Sequence, residues 1–133
     1  MKVATFLAIS GAVAMLFGLE FLLATGFALG QYGVPTEPHN LMQARYFGST
    51  LFAFGLLLWL ARRTSDDQAL RAILVASVAG NLLGAATGIW AALSGLQNMM
   101  AWTSVAIYLL FALGSLYYIS SAARRMTQRG ELA

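Results

Sequence analysis

The chain has 133 residues, 59% of them hydrophobic and 10% charged, with a formal net charge of +3. A soluble domain carries roughly a quarter charged residues, so this composition, with a mean hydropathy of +0.72, belongs to a bilayer. Cysteine is absent, which excludes disulfides and thiolate metal sites. The single histidine, His39, has no second histidine or carboxylate cluster near it to complete a metal site.

A membrane-spanning helix needs about 20 mostly apolar residues. Four stretches satisfy that, over about 5–29, 42–61, 70–93 and 100–122. The connection 30–41 holds Pro35 and Pro38, 62–68 is charged, and 94–98 is a tight Ser-Gly turn. Linkers this short force antiparallel neighbours. The expected fold is all-α: one transmembrane domain over 1–133, an up-down-up-down four-helix bundle with no soluble domain outside it. The first run is long, contains Glu20 and lacks a small-x-small cleavage site before Gln31, so it reads as a retained span rather than a secretory signal.

Basic residues set the orientation. Of the 8 in the chain, Lys2, Arg62, Arg63, Arg71, Arg124, Arg125 and Arg129 fall towards one side and only Arg45 towards the other. Nucleic-acid binding is therefore a poor explanation of the net charge, because the positive side chains sit at the ends of apolar runs. The positive-inside rule places both termini and the second connection in the cytoplasm of a bacterial inner-membrane protein. Trp59 then marks the inner interface, and Trp90 and Trp102 the outer one. Asp66 or Asp67 suits the start of the third helix, and the tail Arg124, Arg125 and Arg129 favours anionic lipid.

Glu20 is the most informative residue, because a carboxylate at bilayer depth needs a partner, a proton or a wet pocket. At helical rise it lies about 27 Å from Lys2, and Arg45 lies about 25 Å from Arg62. Equal depth on adjacent antiparallel helices predicts an ion pair between them. Thr87 and Tyr108 fall at similar depth on the third and fourth helices, giving an expected polar layer of Glu20, Arg45, Thr87 and Tyr108. Such a layer is either a structural clasp or the binding site of a small polar or amphiphilic ligand, with a proton-coupled step at Glu20 as a further alternative. Arg45 could instead snorkel to the outer interface. Asn81, near mid-membrane, is expected to bond across helices, with a ligand contact as the second reading. His39 and Glu37 read as solvated loop residues.

The third helix carries Ala76, Gly80, Gly84, Gly88 and Ala92, a small residue at every fourth position. That stripe predicts close backbone approach by a neighbour, either the fourth helix or a second protomer. Gly11 with Gly18, and Gly48 with Gly55, give weaker seven-residue spacings. No Gly-rich phosphate loop, nucleophile elbow, zinc motif or haem attachment motif is present. No cofactor and no catalytic set are expected.

The stretch Ala44-Arg-Tyr-Phe-Gly-Ser-Thr-Leu-Phe-Ala-Phe-Gly-Leu-Leu-Leu-Trp-Leu-Ala-Arg62, with the later Gly80-Asn-Leu-Leu-Gly84 and the four-span layout, resembles small bacterial four-helix membrane proteins of unknown function (the DUF4345-like group). That resemblance implies a fold and no activity. Glu20 on a first helix is also similar to the glutamate of the small multidrug resistance transporters. There the position implies proton and cationic drug binding, whereas Arg45 at matching depth would repel a cation. The expectation is a non-enzymatic accessory or scaffold subunit, or a lipid- or small-molecule-binding protein. The alternative is a small proton-coupled transporter working as a dimer. Membrane lipid is the expected partner, with a homodimer or larger membrane complex beside it.

Overall fold

The computed structural model describes residues 2–130, in full to residue 121 and as helical backbone over 122–130. The basic tail residues Arg124, Arg125 and Arg129 thus lie outside the residues whose side chains are described. Among the described residues there are five helices and no strand: α1 (Val3–Leu23), α2 (Thr25–Gln31), α3 (Pro38–Ala61), α4 (Asp67–Leu93) and α5 (Met100–Gly130). Four are long and apolar enough to cross a membrane: α1, α3, α4 and the segment Met100–Ser121 of α5. Inside a bilayer each backbone amide must be satisfied within the chain, so uninterrupted apolar runs become helices.

Proline, aspartate and glycine at the boundaries start and stop these helices. Pro38, whose missing amide costs nothing in a first turn, opens α3. Asp66 caps α4, accepting from the amides of Gln68 at 2.9 Å and Ala69 at 3.2 Å. Gly95, at φ 70°, ends α4. There the Leu96 amide reaches the Ala91 carbonyl at 3.0 Å and the Gly95 amide reaches Ala92 at 3.3 Å. Gly33, at φ 71°, ends α2 by the same pattern.

The first apolar run departs from the single helix expected over 5–29. It breaks at Ala24, whose φ and ψ are −119° and 42°. The Thr25 hydroxyl donates to the carbonyls of Phe21 at 2.8 Å and Leu22 at 3.3 Å. A continuous helix would give those carbonyls to the amides of Thr25 and Gly26, so the side chain stands in for the interrupted ladder. The seven residues of α2 then pack against α1 and α3.

The long helices form two antiparallel pairs, α1 with α3 and α4 with α5. In the first pair, backbone meets backbone. A Cβ added at Gly11 would stand 2.7 Å from the Gly55 oxygen, and one at Gly18 would stand 2.6 Å from the Phe52 nitrogen. Gly48 and Gly55 face Gly18 and Gly11 just as closely, at 2.8 and 2.7 Å. The two pairs meet each other at the end of the bundle that holds the α3–α4 turn. There Phe6, Leu7, Leu58, Ala61 and Leu74 form a buried cluster, with Phe111, Tyr118 and Ile119 of α5 against it.

Candidate functional site

Between that cluster and α2 the two helix pairs separate and leave a partly open cavity of about 790 Å³. This is within the range of pockets that hold a small organic ligand. Val13 and Phe17 of α1 and Leu51 and Phe54 of α3 form its apolar wall near the buried cluster. The opposite wall is α4, where Gly80, Gly84 and Gly88 face inwards.

That placement changes the meaning of the glycine stripe, which was expected to admit a neighbouring backbone. Gly80 has nothing within 4 Å of an added Cβ. A Cβ at Gly84 would meet the Tyr108 ring at 2.9 Å, and one at Gly88 would meet Val105 Cγ2 at 2.8 Å. The missing side chains therefore make room, at Gly84 and Gly88 for side chains of α5 and at Gly80 for the cavity itself. The close backbone approach belongs to Gly11, Gly18, Gly48 and Gly55, whose seven-residue spacing was the fainter signal.

At its α2 end the cavity is roofed by Leu29 and Tyr32. The roof is held by hydrogen bonds to the α4–α5 side. The Tyr32 hydroxyl lies 2.6 Å from Ser104 Oγ of α5. The Asn98 amide nitrogen donates to the Tyr32 carbonyl and its side-chain Nδ2 to the Gln31 carbonyl, both at 2.9 Å. Asn98 Oδ1 also accepts from the Met100 amide at 2.9 Å, which caps α5. Sequence reasoning missed this clasp; the only available hint was an asparagine just ahead of an apolar run.

The expected polar layer is divided in two. Thr87 and Tyr108 line the cavity. Glu20 and Arg45 do not, and they form no ion pair with each other. Glu20, half-buried, accepts from Gln31 Nε2 of α2, while the exposed Arg45 donates from Nε to Thr25 Oγ1 at 3.4 Å. Matching depth had suggested the pair, but azimuth decides it. Glu20 follows Gly18, which touches α3, by about 200° of helical rotation, so its side chain leaves the α1–α3 seam. The break at Ala24 brings Gln31 back to meet it. Arg45 is drawn to the same corner, where the Thr25 oxygen offers an acceptor.

Asn81 is buried on the cavity wall, and its link across helices is indirect rather than the direct one expected. Nδ2 donates to the Ser77 carbonyl at 2.7 Å and lies 3.2 Å from Ser77 Oγ. Ser115 Oγ of α5 donates to the same Ser77 Oγ at 3.2 Å. The serine thus relays α4 to α5 through its hydroxyl. Thr50 and Thr87 satisfy their hydroxyls on carbonyls of their own helices, at 3.0 and 2.9 Å. Both threonines still line the cavity.

His39, expected in the loop, lies in the first turn of α3, and its Nδ1 stands 3.5 Å from Glu37 at the N-cap, an exposed contact of small energetic weight. Among the described residues no three His, Cys, Asp or Glu side chains gather as a metal site would require. Compared with known proteins, the chain matches no family, no curated protein and no solved structure.

Proposed function

We propose that this chain is a non-enzymatic, multi-pass protein of the bacterial inner membrane that holds a small lipophilic molecule between its two helix pairs. The observation that carries this reading is the cavity of about 790 Å³. Pockets of this size, mostly apolar with a few polar groups, are where small molecules bind, and the cleft runs between two helix pairs that do not close on each other. Its walls are mainly aromatic and aliphatic, with the larger group of hydrogen-bonding side chains towards the α2 end, and no nucleophile–base pair stands among them. With the positive-inside orientation, the α2 roof faces the periplasm and the buried cluster faces the cytoplasm. The proton-coupled transporter reading draws less support, because Glu20 lies off the cavity and is engaged by Gln31.

Gly80→Leu tests the proposal cleanly. The leucine side chain enters open space and fills part of the cavity without disturbing a helix contact. Protein extracted in mild detergent and weighed intact is expected to carry a bound small molecule, and the variant to carry none at unchanged helicity. A variant that retains the same adduct in the same amount would sink the proposal.

A further inference from the structure

The cavity walls also specify what kind of molecule fits. Among the described residues that line it there is no Asp, Glu, Lys, Arg or His. Glu20 and Arg45, the charged side chains bonded at the α1–α2 corner, are turned to Gln31 and Thr25 instead. Hydrogen-bonding side chains gather towards the α2 end, where Gln43, Thr87, Gln97, Ser104 and Tyr108 all reach the cavity surface. Towards the other end, Val13, Phe17, Leu51 and Phe54 offer hydrocarbon, and the polar residues among them, Ser10, Thr50 and Asn81, donate to carbonyls of their own helices.

We infer, resting on the binding reading above, that the occupant is an uncharged single-chain amphiphile with a hydroxyl or carbonyl head. The head docks at the Gln43–Gln97–Tyr108 end, and the chain points towards the Phe6–Leu58–Leu74 cluster. Amide and phenol groups can donate to or accept from a neutral oxygen, whereas they cannot neutralise a full charge. A charged head taken into this cleft would remain an unpaired ion in a largely apolar surround, which is strongly unfavourable. A neutral head satisfies the polar end without that penalty, and its tail replaces the void with dispersion contacts along the aromatic wall. The occupant is thus set apart from ionised fatty acids and from lipophilic cations by the absence of a counter-charge.

The test uses the full-length protein and probes sharing one eighteen-carbon monounsaturated chain: oleyl alcohol, methyl oleate, oleate and oleylamine. At about pH 9 the carboxylate is ionised and the amine still protonated. The alcohol and the ester distinguish a hydroxyl from a carbonyl head. At least one of them is expected to bind at least about tenfold more tightly than either ion, and Gly80→Leu to abolish that binding. The paired substitution Tyr108→Phe with Gln97→Leu is expected to weaken the preferred neutral probe roughly threefold to tenfold. The same pair should leave an unsubstituted octadecene unaffected, which separates head recognition from a general loss of packing. Ions that bind as tightly as the neutral probes, still blocked by Gly80→Leu, would overturn the ligand class while leaving the site intact. If no probe binds, or if binding is indifferent to Gly80→Leu, the site itself falls. A Gly80→Leu protein whose oligomeric state changes instead would assign the groove to a second copy of the chain and overturn the proposal.

Discussion

The α1–α3 and α4–α5 pairs are built from the same small residues put to opposite use. Between α1 and α3, glycine faces glycine, and the two backbones touch with no room for a single Cβ. Along α4, glycine faces a tyrosine ring, a valine methyl and empty space in turn. A glycine in a membrane helix is therefore only a statement about absent volume. Whether a backbone, a side chain or a ligand fills that volume depends on what the neighbour presents. Matching glycines on two adjacent helices give contact, and an unmatched row gives a hollow.

A graded alanine series breaks or sharpens this contrast most directly. Gly18→Ala drives a Cβ into the Phe52 backbone at 2.6 Å and is expected to cost about 3 kcal/mol or more, since neither helix can yield without parting the pair. Gly84→Ala meets only the Tyr108 ring, which can swing into the cavity, and should cost about 1 kcal/mol. Gly80→Ala meets nothing and gains helix propensity, so it should be neutral or stabilising by up to about 1 kcal/mol. Thermal unfolding in mild detergent reads all three, and any other rank order would contradict the assignment of contact and hollow.

The second difference between the pairs lies in polar bonding. The Ser77–Ser115 hydroxyls join α4 to α5 and orient Asn81, whereas α1 and α3 rely on shape. Ser77→Ala leaves Ser115 and one side of Asn81 without a partner in the interior. It should lower stability by about 1–2 kcal/mol, and Ser115→Ala made on top of it should add less than it does alone. Full additivity of the two substitutions would show that no relay exists.

The smallest expected effect concerns Glu20 and Arg45. Because each has its own neighbour on α2, Glu20→Gln and Arg45→Met should combine with a coupling energy below about 0.5 kcal/mol. A coupling of several kcal/mol would restore the direct ion pair that equal depth had suggested.

Much of the fold was legible in the chain. A bilayer leaves an apolar run of this length almost no option but a helix, so the four spans follow from hydropathy, and the Asp66 cap follows from its place before 67–93. The break at Ala24 was not legible, because a threonine that borrows carbonyls looks the same in sequence as one that does not. The candidate site was half visible. Thr87, Tyr108, Asn81 and the α4 glycines were singled out as residues, and they share the cavity wall. Their relation to Glu20 and Arg45 was misjudged because counting residues gives depth, whereas contact also requires azimuth. The void itself has no sequence signature, since it arises where two well-packed pairs stop touching.

Asn98 carries one more implication. Its side chain is the last acceptor for the opening amide of α5 and, through the same planar amide, a donor to the carbonyl of Gln31. Rotating that group away would uncover both at once. The ceiling above the cavity and the first turn of α5 thus share one side chain, beside the Tyr32–Ser104 contact that also ties the ceiling to α5. Opening the ceiling at that edge would disturb both halves of the molecule together, through an asparagine in the six-residue connection 94–99.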